Sequence, residues 1–195
     1  MSKGIFSDRE KAMESGYFRE QDAKLIERLR ANASLDDIAV ALAEKLNIEH
    51  PELLVRVRAL GVTADTAPAF LLMPLVQIAW AEGSNSKEEQ QTVLHLARER
   101  GIGEDSTAYA QLREWLAVRP PDTLFDTAYE VLHAGYAVLP PREREERIQR
   151  MIEACQKVAE ASGSQIAKLI GLGDGVSHVE QSVIETIKSK LQSTS

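Results

Sequence analysis

The run AFLLMPLVQIAWA, residues 69–81, decides the fold. Its one polar side chain is Gln77, so a helix built from it has no face to turn to water and belongs at the centre of a helical core. Pro68 can open that helix in its first turn. Pro74 lacks a backbone N–H and crowds the preceding turn, so the helix either bends there or restarts near Pro74.

Immediately beyond Trp80 comes AEGSNSKEEQ, in which Ser86 and Glu89 have the spacing of a capping box. The helix that follows runs through Val93, Leu94, Leu96 and Ala97 to Arg100, and Gly101 ends it. A similar pattern stands near the other end of the chain. There VAEASG (residues 158–163) is followed, after an insertion, by GLGDGVSHVEQ (residues 171–181), with Ser177 and Glu180 in the same relation and Val183, Ile184 and Ile187 behind them. Two units of helix, glycine loop, S-x-x-E-Q and helix predict a duplicated helical hairpin about a pseudo-twofold axis. Gly171, Gly173 and Gly175 read as a flexible loop rather than a phosphate cradle, because Asp174 would repel the anion.

Between the two units, Asp105 or Ser106 can start a helix through Leu112 and Leu116 that Pro120 and Pro121 end. Asp122 opens the next, with Leu124, Ala128, Val131 and Leu132 on one face, and Pro140 and Pro141 punctuate again. In the helix after them, Glu143 with Arg147 and Glu146 with Arg150 are favourably ordered pairs on a solvated face. Ile148, Met151, Ile152, Cys155 and Ala159 form its buried stripe, with Cys155 as a small inert hydrophobe. On the amino-terminal side, Ser34 and Asp37 resemble a helix start, Asn47 and Pro51 interrupt, and Gly61 suits the residue just beyond a helix end, so residues 34–62 read as a helical hairpin.

The first thirty-odd residues differ in character. As a helix, residues 5–29 place Phe6, Met13 and Tyr17 on one stripe and Phe18, Leu25 and Leu29 on an adjacent one. From Met1 to Ala33 there are seven Lys or Arg against six Asp or Glu. Pairs such as Glu20 with Lys24 contribute at most about 0.5 kcal/mol each, and Gly16 costs roughly 1 kcal/mol relative to Ala. Such a helix needs its apolar stripe covered by the body, by a second copy or by a partner.

Composition narrows the classes. Aromatic residues make up 5% of the 195, while Ala, Leu, Glu and Arg are plentiful, which favours helix packed on helix and an all-α fold. A net charge of -7 with no basic tract argues against nucleic acid and anionic membranes as partners. One cysteine excludes an internal disulfide, and neither a signal core nor a window near the roughly 20 apolar residues of a membrane span is present, so the expected location is the cytoplasm. The phosphate-binding G-x-x-x-x-G-K, the metal-binding H-E-x-x-H and the nucleophile motif G-x-S-x-G are all missing, and the four histidines stand singly, so no active site is expected.

Two resemblances add to this reading. The run F-x-x-R-E-x-A-x-E-x-x-Y-F-R-x-Q, from Phe6 to Gln21, is similar to the inhibitory segment of the natural inhibitor proteins of the rotary ATP synthase. That resemblance implies a helix wedged into a catalytic interface of the motor, with Phe6, Tyr17 and Phe18 as apolar anchors and Arg9, Glu10 and Glu14 as polar contacts. It covers about thirty residues and departs from the mitochondrial members in having no histidine before His50.

The paired glycine loops with S-x-x-E resemble the tellurite-resistance TerB-like family of small all-helical domains, over roughly Ala64 to Leu191. That family's acidic loops imply a divalent cation, calcium or another, held here by Glu82, Glu89, Asp174 and Glu180. Glu82 stands where aspartate is usual, and the second loop carries an insertion. The chain then divides into an inhibitor-like helical arm (residues 1–33), a hairpin linker (34–62) and a TerB-like all-helical domain (63–195). The function implied is that of a non-catalytic bacterial stress-related interaction module. Its arm docks on a protein partner, for which the ATP synthase catalytic head is one candidate and a second copy of the chain another. In the alternative, the acidic loops bind metal and the arm only packs on the body.

Overall fold

The computed structural model describes Lys24, Asp37 and residues 40–42, 50–162 and 176–192. These residues carry helices and no strand, so the chain is all-α there. Eight helices have both ends described: α1 (Pro51–Ala59), α2 (Ala67–Phe70), α3 (Met73–Ala79), α4 (Lys87–Glu99), α5 (Thr107–Ala117), α6 (Asp122–Ala137), α7 (Pro141–Ser162) and α8 (His178–Gln192). None among the described residues is long and apolar enough to cross a membrane.

The apolar run is divided, and Pro74 is the reason. In an unbroken helix residue 74 would donate to the carbonyl of Phe70 and its ring would strike that carbonyl. Accordingly α2 stops at Phe70, and α3 begins at Met73 with Pro74 in its first turn, where no donor is required. Leu71 and Leu72 form the step between them, with the Leu72 N–H on the Ala69 carbonyl at 2.9 Å. Of the two outcomes open to Pro74, restart is the one realised.

The expected centrality of this segment holds. Helix α3 packs against α4, α5, α6, α7 and α8. Phe70, Met73, Leu75 and Ile78 are fully enclosed, so truncating Met73 to alanine should cost about 2–5 kcal/mol. Leu42, Leu53, Leu54 and Val57 join the same core, and α1 is further tied to α6 by an ion pair of Arg56 with Glu130.

Two helices end as their glycines require. Gly61 and Gly101 have φ of +81° and +84°, the left-handed region that a Cβ disfavours. Each is followed by a buried aliphatic residue whose N–H reaches back into the helix: Val62 to the Val57 carbonyl at 3.3 Å, and Ile102 to the Ala97 carbonyl at 3.1 Å. The second closure turns the chain at Arg100 and tucks Ile102 inward. It also shapes one wall of a surface groove.

Several local expectations resolve. Ser106, rather than Asp105, caps α5 by accepting from the Tyr109 N–H at 3.1 Å. Glu143 pairs with Arg147 at 2.9 Å. Glu146 instead takes Arg142, one turn earlier, at 3.1 Å, and Arg150 turns its Nε–H to the Glu146 backbone carbonyl at 3.2 Å. The stripe of α7 is buried as expected, with Cys155 fully enclosed. Trp80 and Trp115 are only partly buried, and the Trp80 Nε1–H donates to the Trp115 carbonyl at 2.9 Å. Ser34, Asn47 and the loop glycines Gly171, Gly173 and Gly175 lie outside the described residues.

Candidate functional site

Two helix starts carry the same device. At α4, the Glu89 N–H donates to Ser86 Oγ at 3.1 Å while the Ser86 N–H donates to Glu89 Oε2 at 2.6 Å. At α8, the Glu180 N–H donates to Ser177 Oγ at 3.2 Å while the Ser177 N–H donates to Glu180 Oε2 at 2.7 Å. Both are full capping boxes, and the local S-x-x-E spacing is enough to produce them. Both carboxylates are buried, with Glu89 5% and Glu180 1% exposed. A glutamate in the first turn also meets the positive end of the helix dipole, which eases the burial of its charge.

The Glu89 carboxyl feels its acidic neighbours. Burial pushes the Glu89 pKa above the usual glutamate range, the hydrogen bonds from Ser86 pull it down, and the charges of Glu180 and Glu82 raise it further. Of the four candidate metal ligands, then, Glu180 and the exposed Glu82 each lie within electrostatic reach of Glu89, while Asp174 is outside the described residues. Among the described residues no group of three or more His, Cys, Asp or Glu side chains is placed to hold a metal ion. Glu89 and Glu180 each direct a carboxylate oxygen to their own cap, which supplies the structural role that any ligand role would have to share.

The α4 start is anchored to α5 as well as capped. Asn85 Nδ2 donates to the Leu116 carbonyl at 2.7 Å, and the Gln90 side-chain amide donates to Asn85 Oδ1 at 2.7 Å. Together with the Trp80 bond, these contacts fix the loop that carries Glu82.

The other end of α4 gathers the opposite charge. A groove of about 580 Å³ lies between the α2–α3 step, the end of α4, α6 and α7. Leu71, Leu72, Ile102, Leu132 and Met151 contribute its apolar lining, and Arg100, Arg147 and Arg150 its cations. Tyr136 stands among them: burial pushes its phenol up to about 12, while Arg147, Arg100 and Arg150 each pull it the other way. Arg147 and Arg150 lie on the solvated side of α7, as expected, but that side borders the groove. The available signal was their position beside the buried Ile148 and Met151, together with Arg100 at the end of its helix.

Two further reactive groups, Cys155 and Tyr129, are sealed. Cys155 has no exposed surface, and burial pushes its thiol up to about 12. The Tyr129 pKa is raised by burial, its hydroxyl donates to Gln77 Oε1, and Lys190 lies 4.8 Å from its ring centre. His95 is exposed and sits 3.4 Å from Glu99 one turn along α4. The proposed docking residues Phe6, Arg9, Glu10, Glu14, Tyr17 and Phe18 lie outside the described residues.

Compared with known proteins, the chain matches no family model, no curated protein and no solved structure.

Proposed function

We propose that the chain is a non-catalytic helical module that works by docking, with residues 1–33 as the segment that engages a protein partner. The non-catalytic part is supported by the burial of the one thiol, Cys155, which takes it out of use as a nucleophile. The docking part draws on the sequence of residues 6–21, whose aromatic anchors and flanking charges suit a helix entering an apolar groove. Its resemblance to the ATP synthase inhibitor segment makes the catalytic head of that motor the first partner to test. Its resemblance to the TerB-like family, with a lone cysteine, suggests a bacterial cytoplasmic protein of stress physiology.

Deleting residues 1–33 tests this reading. A truncated chain that keeps a cooperative melting transition and loses the partner supports it; a truncated chain that no longer folds makes the segment part of the core and removes the main support.

A second reading is favoured by one observation, that the charges of Glu180 and Glu82 both act on the buried Glu89. Carboxylate oxygens are the ligands that a hard divalent cation of the calcium or magnesium kind takes, with Asp174 as the further ligand this reading calls for. Binding would raise the melting temperature at millimolar calcium or magnesium, and Asp174→Ala would abolish the rise. An unchanged melting temperature would remove this reading.

A further inference from the structure

The groove at the end of α4 combines three features that the docking reading leaves unused. Its volume of about 580 Å³ falls in the range of small-molecule sites, roughly 300–1,000 Å³. Its lining divides into an apolar part, from four separate elements, and a cationic part from α4 and α7. And the cationic part is concentrated: Arg100, Arg147 and Arg150 all act on the same phenol, that of Tyr136, in a chain whose net charge is -7.

The arginines differ in what they already hold. Arg147 is engaged with Glu143 at 2.9 Å and contributes chiefly its field. Arg100 uses one Nη to cap the Leu96 carbonyl at 3.0 Å, and Arg150 uses Nε on the Glu146 carbonyl at 3.2 Å. Neither forms an ion pair with a carboxylate among the described residues. Each guanidinium carries five N–H donors in a planar fork, so both keep donors for an incoming carboxylate. Glu99, the one acid among the described lining residues, faces His95 across a turn.

We propose that this groove binds a small amphipathic anion, a carboxylate with an aliphatic tail, Arg100 and Arg150 taking the carboxylate and Leu71, Leu132 and Met151 the tail. Inorganic phosphate would use the arginines alone and leave the apolar lining without a partner. A cation is excluded by the arginines. A peptide helix, about 10–12 Å across, would seat only a few side chains in a groove of this size.

Calorimetric titration of the full chain with decanoate tests the proposal, with decan-1-ol and decylamine as neutral and cationic probes of equal length. Decanoate should bind saturably at one per chain, decan-1-ol roughly tenfold or more weakly, and decylamine weakest of the three. Arg100→Gln with Arg150→Gln should lose roughly tenfold in decanoate affinity while keeping the wild-type melting temperature. Equal affinity for the acid and the alcohol, or an unchanged affinity in the variant, would overturn the assignment. If the double variant fails to fold, the Met151 methyl resonance of the unmodified chain decides. A saturable shift on adding decanoate supports the site, and no shift overturns it.

Discussion

The two ends of α4 gather opposite charges and put them to different uses. At its start, Glu89 and the neighbouring Glu180 are buried, and each is held by a backbone N–H of its own cap at 2.6 and 2.7 Å. At its finish, Arg100, Arg147 and Arg150 surround an open groove, with Arg100 on the Leu96 carbonyl and Arg150 on the Glu146 carbonyl of their own helices. The difference teaches where charge serves the fold and where it is left for something else. The acidic end is committed to its own caps, and the basic end is expected to contribute little to stability.

That contrast can be broken most forcefully at Glu180. Replacing it with alanine removes a buried cap partner and leaves the Ser177 N–H without its acceptor, at a cost of about 2 kcal/mol in urea unfolding. A loss below about 0.5 kcal/mol would put Glu180 with ordinary surface residues and make a ligand role the better explanation of its burial.

A subtler effect is expected in the pH dependence of stability. Burial raises the Glu89 pKa in the folded chain, so over a window just above the usual glutamate range the folded protein holds a proton that the unfolded chain has released. Stability from this group is complete below the unfolded value and lost as pH rises through the folded one. Wild type should therefore gain on Glu89→Gln as the solution is acidified from neutrality into that window. Because Glu82 adds to the upward shift, Glu82→Gln should narrow the window. A wild-type curve parallel to that of Glu89→Gln would show that Glu89 titrates normally.

The smallest effect is expected at the basic end. Arg100→Gln and Arg150→Gln, taken singly, should each change unfolding free energy by no more than about 0.5 kcal/mol. Losses of 2 kcal/mol there would make the arginines part of the framework and erase the distinction.

How much of this was legible in the sequence follows from the range of each interaction. The capping boxes at Ser86 and Ser177 are contacts over three residues, so their spacing was sufficient. Gly61 and Gly101 were readable because a left-handed helix end demands glycine almost regardless of surroundings. Pro74 left two outcomes, bend or restart, and packing around Leu71 and Leu72 decided between them. The partner of Glu146 was misread because Arg142 and Arg150 are equally near in sequence, and only the side chains' settings on the helix separate them. The groove was missed altogether. Its cations come from α4 and α7 and its lining from four elements, and no local pattern records that they meet. The effect of Glu180 on Glu89 likewise depends on packed helices that bring two distant helix starts within reach, which spacing does not record.

The most direct test of the central claim is hydrolysis of ATP by the purified catalytic head of a bacterial ATP synthase, with the full-length chain added beside a Tyr17→Ala, Phe18→Ala double variant. The docking account predicts that the full-length chain inhibits and the variant does not. Absence of inhibition by either, across pH and nucleotide conditions, would contradict the assignment of this partner and leave the body's two charged ends as the place to look for function.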